Sequence, residues 1–230
     1  KVPVIRGLIS APVVREDGSI LCSIGYDDET CLYYSPSEKL LIPEIPEYPS
    51  QEDAKRAANF FMDEVLGDFP FLDHTAKTNA MAAFLTTIVR PMIRGQVPIA
   101  LIDKPAPGTG ATKILELISI IATGKTMAAL SPPENEDEWR KLITGLLRDG
   151  THIICIDNID SDLNASTLSR ALTSSIWKDR TLGKTDAVEY PQRACWYATG
   201  NSIVLGGDLP RRSYLIQMDA KMARPWERDT

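Results

Sequence analysis

From Pro98 onward, short uninterrupted apolar runs alternate with segments in which apolar residues recur every three or four positions. The uninterrupted runs lie at 99–103, 152–157 and 194–198, each followed by polar residues. Runs of this length predict strands that are buried on both faces of a sheet. Helical spacing follows the first run, at Ile114, Leu115, Leu117, Ile118 and Ile121. The pattern predicts an α/β fold with a parallel sheet flanked by helices.

The first 49 residues have a different pattern. Three short apolar stretches occupy 2–9, 20–24 and 31–34. The turn dipeptides Asp17-Gly18 and Asp27-Asp28 separate them, which favours hairpins. The segment 42–49 then carries three prolines in eight residues, so it can continue neither a helix nor a central strand. We expect a small β-rich module and a proline-rich linker over 1–49.

Helical spacing returns after the prolines. Ser50 precedes a cluster of acidic residues, as at a helix start, and a second helix is expected from about Thr75 to Ile93. We therefore expect a helical segment over 50–95 and the main α/β domain over 96–230. Because Lys1 is not an initiator methionine and the last residues form no closing element, we expect the chain to be part of a longer polypeptide, with the main domain truncated.

Composition sets limits on the partners. The 25 Lys and Arg residues and 31 Asp and Glu residues give a net charge of −6, so any DNA contact must be local. The four cysteines have no paired C-x-x-C spacing, which favours a reducing compartment over a zinc site. No apolar run approaches the roughly 18 residues that span a bilayer. These features predict a cytoplasmic protein with no membrane partner.

The run Lys104-Pro-Ala-Pro-Gly-Thr-Gly-Ala-Thr-Lys113 lies between the first predicted strand and its helix. Glycines there let backbone N–H groups close around a phosphate, and the helix dipole favours an anion. The predicted nucleotide-binding positions are Pro107, Gly108, Thr109, Gly110, Ala111 and Thr112. The run departs from the phosphate-loop motif at Ala111, where the motif has lysine.

A second candidate motif ends the strand at 152–157. Asp157 would lie at the tip of that strand beside the loop, where it could hold Mg²⁺ with the hydroxyl of Thr112. The next position is often a glutamate that activates water, but here it is Asn158, which cannot accept a proton. Asp160 and Asp162 are candidate substitutes, but solvated loop carboxylates or helix caps are the simpler interpretation and the one we prefer for each.

Two further polar positions follow. Asn201 ends the apolar strand 194–198 and its short extension, where an amide could orient water near a terminal phosphate; an Asn in a turn after Gly200 is the alternative. Arg211 and Arg212 precede the predicted edge strand 214–218. An arginine is well suited to stabilise charge on a transferring phosphoryl group, often from a neighbouring subunit.

Six short runs occur in order along the second half of the chain: Asp157-Asn158, Ala171-Leu-Thr-Ser174, Asp179-Arg-Thr-Leu-Gly183, Ala198-Thr-Gly-Asn201, Gly207-Asp-Leu-Pro-Arg-Arg212 and Arg224-Pro-Trp-Glu-Arg228. Together they resemble the AAA+ domain of phage and mobile-element primase-helicase proteins over roughly residues 97–228. The early segments 11–12, 15–18 and 25–27 resemble the short region before the ATPase in those proteins. In that family an asparagine after the strand aspartate is not out of place.

The resemblance implies an AAA+-type P-loop NTPase fold and the ATP-binding motor of a DNA replication helicase. ATP and Mg²⁺ would be the cofactors, and the chain would assemble into a homo-oligomeric ring, with a hexamer as the candidate size. Asn201 would sense the terminal phosphate, and Arg211 or Arg212 would complete a neighbour's site. Other replication proteins or flanking domains of the full-length chain would be partners.

The resemblance also implies a place for DNA. Ring-forming helicases often insert a pore hairpin between the two central motif strands, where this chain has Lys178, Arg180 and Lys184. These three residues are our candidates for DNA contact, and a solvated loop is the alternative. A nucleic-acid-binding module without a motor is disfavoured by the acidic balance.

Loss of the loop lysine removes one charge-assisted contact to the phosphates. A loss of this kind typically lowers the rate of the catalysed step by a factor of about 10² to 10³. Lys113 points away from the loop by about 200° at the helical period, whereas Lys104 could reach it. We predict weak nucleotide binding with slow or absent hydrolysis. A catalytically inactive regulatory or scaffold subunit is the alternative function, and the sequence does not distinguish a natural alanine from an introduced one.

Overall fold

The computed structural model describes residues 5, 7–43, 45–160, 162–180, 187–222 and 224–227, with only the backbone of Arg180. The N-terminal part contains five short strands: β1 (Gly7–Ile9), β2 (Val13–Val14), β3 (Ile20–Leu21), β4 (Gly25–Asp27) and β5 (Leu32–Tyr34). Strands β2 and β3 form one antiparallel hairpin, and β4 and β5 form another. The turns predicted at Asp17-Gly18 and Asp27-Asp28 are confirmed, and Gly18 has a φ of +89°.

Two helices follow the proline-rich segment, α1 (Gln51–Phe60) and α2 (His74–Ile88). Ser50 caps α1 by accepting the Asp53 N–H, as predicted from its position. The expected end of α2 at Ile93 is wrong: the helix stops at Ile88, and Arg90–Met92 forms a 3₁₀ turn. Pro91 explains the difference, because it lacks an N–H and disfavours helical geometry in the preceding residue.

A five-stranded parallel sheet forms the centre of the molecule. Its strands are β6 (Ile99–Lys104), β7 (Ala129–Leu130), β8 (Ile153–Ile159), β11 (Cys195–Asn201) and β12 (Ser213–Gln217). They lie in the order β12-β6-β11-β8-β7, and every pair in the sheet is parallel. The three strands predicted to carry motifs are therefore adjacent in the middle. The two-residue strand β7 was not predicted, because two apolar residues give no periodicity.

The remaining elements are the helices α3 (Ala111–Thr123), α4 (Glu136–Arg148) and α5 (Ser166–Ala171), and the antiparallel hairpin β9 (Ile176–Arg180) and β10 (Ala187–Pro191). Gly124 ends α3 in the left-handed region, with a φ of +73°, so the Gly-Lys-Thr sequence at 124–126 is a helix terminus. In the described part of the chain, no helix combines the length and apolar character needed to cross a membrane.

The helices cover both faces of the sheet. One core combines α4 and α5 with strand residues such as Leu101, Ile156 and Trp196. The other combines α2 and α3 with Ile102 and Tyr197 on the opposite face. Two apolar layers on one sheet give the α/β, P-loop NTPase-like architecture that the sequence predicts.

Gly200 allows β8 and β11 to approach each other at a register shift. A Cβ at this position would lie 2.4 Å from the Ile159 carbonyl oxygen, so Gly200→Ala should destabilise the fold by about 1–3 kcal/mol or more. Gly145, inside α4, is the matched control: an added Cβ there meets no described atom within 4 Å, so Gly145→Ala should stabilise by about 0.5–1 kcal/mol. Urea unfolding measures both, and equal effects would contradict the close approach.

Candidate functional site

Four polar side chains emerge on one face of the sheet at the carboxyl ends of adjacent strands. Side chains alternate between faces along a strand, and Ile102, Cys155 and Tyr197 belong to the core beneath α2 and α3. Two residues further along these strands, the same face presents Lys104, Asp157 and Thr199, and then Asn201. The alternation therefore brings the predicted residues Asp157 and Asn201 to the edge where the glycine loop rises into α3.

The glycine loop has the backbone geometry that its sequence predicts. Gly108 and Gly110 have φ values of +82° and +96°, in the left-handed region that glycine adopts without strain. Gly110 is the N-cap of α3, so the free N–H groups of the first helical turn lie next to the loop. Between the glycines, Thr109 is 2% exposed, and its hydroxyl has no hydrogen-bond partner among the described residues.

Two aromatic rings lie against the loop. A Cβ on Gly108 would lie 2.9 Å from the Trp226 ring, and a Cβ on Gly110 would lie 3.4 Å from the Phe69 ring. Gly108 is therefore needed for close packing as well as for its backbone angles, whereas the Phe69 ring lies at ordinary contact distance from Gly110. Neither ring follows from a site motif in the sequence: Trp226 belongs only to the run that carries the family resemblance, and the 69–71 Phe-Pro-Phe run between two helices is the available signal for Phe69.

Asp157 and Thr112 face each other across the end of the loop. The Thr112 hydroxyl lies 3.5 Å from a carboxylate oxygen of Asp157, which also accepts a hydrogen bond from the Thr199 hydroxyl. A hydroxyl and a carboxylate are hard oxygen donors, and Mg²⁺ is often held by one or two such groups together with phosphate oxygens. The donor set at Thr112 and Asp157 therefore fits Mg²⁺.

Asn158 occupies a bulge. Its φ is +60°, in the left-handed region that asparagine tolerates better than most residues, and the pairing of β8 with β11 shifts register here. Its backbone N–H donates to the Thr199 hydroxyl at 3.1 Å, while its side chain is exposed. Asp160 and Asp162 are also exposed in the following loop, as the simpler interpretation of them expects.

Lys104 is buried at the base of the loop, with an exposed fraction of 8%. Its ammonium donates to the Asn201 side-chain oxygen at 3.0 Å and lies 3.5 Å from the Gly200 carbonyl oxygen. Burial lowers the pKa of Lys104, and the charges of Asp157 and Asp103 act in the opposite direction. By contrast, Lys113 is exposed on α3, whereas the Ala111 methyl group is buried in the core beneath that helix.

Arg211 and Arg212 lie at the opposite edge of the sheet. They end the 3₁₀ turn Leu209–Arg212, and the next residue, Ser213, pairs with Ile99 at the amino end of β6. The strand length separates this edge from the loop by about 16 Å at roughly 3.3 Å per residue. Both arginines bind Asp208, at 2.6 Å and 3.1 Å, and Arg212 also donates to Thr173. Within one chain, the fold therefore keeps both arginines away from Asp157.

The hairpin of β9 and β10 is anchored on one side to α4. Asp179 accepts hydrogen bonds from Arg140 and Thr144, and the Trp177 indole donates to Thr144 at 2.9 Å. Lys178, between the two anchoring residues, is exposed and forms an ion pair with Glu189 on the facing strand at 2.6 Å. Lys184 and the Arg180 side chain lie outside the described residues.

Comparison with known proteins supports the fold. No protein-family profile and no curated protein sequence matches this chain. The A-form apo structure of the C-terminal region of NrS-1 is similar, with a TM-score of 0.50 and 14% identity, over 98% of this chain and 51% of that chain. A second structure of the same region has a TM-score of 0.45. This chain thus spans about half of the first structure, and the similarity concerns the fold.

Thr199 is a link between Asp157 and the Asn158 backbone. Replacing it with valine preserves the shape but leaves the Asn158 N–H without its partner, so Thr199→Val should destabilise the fold by about 1–3 kcal/mol. Thr199→Ser keeps the hydroxyl and serves as the control, with an expected loss below about 1 kcal/mol. Urea unfolding compares the two, and equal losses would mean that the hydroxyl does not hold the strand tips together.

Proposed function

We propose that this chain is the ATP-binding motor domain of a DNA helicase of the phage or mobile-element primase-helicase type, with hydrolysis impaired at the loop. The observation that carries the proposal is the convergence of Thr112, Asp157 and Asn201 beneath the glycine loop. The loop amides and helix dipole would hold the phosphates. Thr112 and Asp157 would hold Mg²⁺, which neutralises phosphate charge when bound.

Asn201 fits the role of a residue that senses the terminal phosphate. Its side-chain oxygen is engaged by Lys104, so its amide hydrogens are the donors left for a phosphate or a water molecule. Asn158 gives no general base, which leaves water activation to another group. The site is thus better equipped for binding and charge neutralisation than for proton transfer.

Assembly into a ring explains the position of the arginines. Arg211 and Arg212 lie across the sheet from the loop of their own chain, so they can serve only the loop of another copy. A ring in which each copy presents this edge to its neighbour's loop would bring the two together. Arg211 is the better candidate, because its side chain is 76% exposed, compared with 24% for Arg212.

A second candidate function is an inactive regulatory or scaffold subunit of the same architecture. The observation that favours it is Ala111, because the motif lysine is replaced by a methyl group packed into the core. Such a subunit would keep the interface arginines and assemble independently of ATP.

Restoring the loop charge tests the motor. The unaltered chain should bind Mg-ATP weakly and turn it over far more slowly than about 1 per second, and Ala111→Lys should raise turnover by about 10² to 10³. Steady-state phosphate release measures the rate, and sedimentation with and without ATP measures assembly. Because residue 111 is buried, circular dichroism first checks that Ala111→Lys is folded. Lys113→Met, on the exposed face of α3, is the matched control.

The outcomes of this experiment separate the two functions. Turnover of about 1 per second or more in the unaltered chain would contradict the impairment. Binding without turnover in Ala111→Lys would support the inactive subunit. Absence of ATP binding in both chains would reject the nucleotide site.

The β9–β10 hairpin is the proposed DNA contact, through Lys178, Arg180 and Lys184. Replacing Lys178 with glutamate puts a negative charge beside Glu189, so single-stranded DNA affinity should fall at least about tenfold and depend less steeply on salt. Fluorescence anisotropy of a labelled oligonucleotide at several salt concentrations measures both effects. Lys141→Glu, on α4, is the control for net charge, and equal losses from both variants would place the contact elsewhere.

A further inference from the structure

The glycine loop itself, residues 105–112, has no cationic side chain for a triphosphate. Its amides and helix dipole carry only partial positive charge, whereas a phosphoryl chain carries several negative charges. Ala111 contributes none, and Lys113 lies on the exposed face of its helix. A site of this shape therefore needs a positive group from another position.

Lys104 is the lysine at the base of this loop. It is the last residue of β6, it pairs in register with Asn201, and the loop begins at the next residue. Its ammonium lies within 3.5 Å of both Asn201 and Gly200, close enough to Asp157 for the two charges to interact. The ammonium is therefore among the groups that face the site.

The fold compensates the burial of Lys104 only in part, through the charges of Asp157 and Asp103. A lysine with an exposed fraction of 8% is desolvated, and the contacts described for it are to two neutral oxygen atoms rather than to a carboxylate. A neutral residue at this position could fill the space without that cost. A buried charge that the fold compensates only in part is typical of binding sites, where an anionic ligand completes the compensation.

A second group in the same loop also lacks a partner. The Thr109 hydroxyl is buried between the two glycines and makes no hydrogen bond with any described residue. Buried hydroxyls are normally satisfied by protein, water or ligand. The Thr109 hydroxyl is therefore a second group in the loop, besides the Lys104 ammonium, that is available to a bound anion.

We propose that Lys104 replaces the missing loop lysine, and that its ammonium binds the phosphate oxygens of the nucleotide. This inference rests on the proposed nucleotide site and adds the residue that carries its positive charge. Lys104 approaches from the strand beneath the loop, whereas residue 111 belongs to the helix above it. The charge of the motif is thus kept, but its point of attachment has moved seven residues toward the N-terminus.

Lys104→Gln tests the charge separately from the structural contact. Glutamine keeps a donor for Asn201 and Gly200 but removes the positive charge, so the dissociation constant of fluorescent ATP should rise about 10- to 100-fold. The affinity for adenosine, which has no phosphate, should change less than about twofold. Lys113→Gln is the matched control and should leave both affinities unchanged, and Lys104→Met, which also removes the donor, is the second variant if glutamine unfolds the chain.

A double variant tests whether the two positions serve one role. If Lys104 performs the role of the loop lysine, Ala111→Lys should recover most of the affinity lost in Lys104→Gln. The same change in the unaltered chain should give a smaller gain, because two ammonium groups then share one anion. Independent effects at the two positions would overturn the inference.

The possible failures are distinguishable. Equal ATP affinity in Lys104→Gln and Lys113→Gln overturns the role of Lys104 while leaving the nucleotide site intact. Equal losses for ATP and adenosine mean that Lys104 only supports the fold, which also overturns the inference. Absence of ATP binding in the unaltered chain and in Ala111→Lys rejects the nucleotide site itself, and the inference with it.

Discussion

The register of three parallel strands is the constraint on which the candidate site depends. β11 lies between β6 and β8, so their carboxyl ends form one edge and their alternating side chains share one face. A shift of β11 by one residue would turn Thr199 and Asn201 toward the core of α4 and α5. The apolar residues below them resist this shift, because Tyr197 and Trp196 fill opposite cores. The packing of the sheet thus determines which polar groups meet.

Most of the fold was predictable because its signals are local. The apolar runs, the cap at Ser50 and the glycine loop each depend on neighbouring residues, and the structure confirms them. The predicted end of α2 lies several residues beyond the observed one. The apolar pattern continues past Pro91, but the α-helical backbone cannot continue through this proline. Two-residue strands such as β7 depend on a partner strand, so they carry no periodic signal of their own.

The residues of the candidate site could be proposed from the sequence, but the contacts between their side chains could not. Asp157, Thr112 and Asn201 follow from their positions after strands and loop, and the sheet brings them together. The burial of Lys104 against Asn201 could not be predicted, because the two residues are 97 positions apart and meet only through strand pairing. The packing of Trp226 on Gly108 is likewise a contact between distant parts of the chain. Spacing along the chain does not report such long-range contacts.

Several features that reduce the stability of the fold lie at the glycine loop and at the carboxyl ends of the strands beside it. A buried lysine, a hydroxyl with no partner among the described residues and an asparagine in the left-handed region all lie within the loop or at the strand tips beside it. Each is unfavourable for folding alone, and none is needed to pack the two cores. A chain that had lost its ligand as well as its motif lysine would gain stability by replacing them with apolar residues. Their presence together at the carboxyl edge of the sheet supports the proposal that this loop binds an anion.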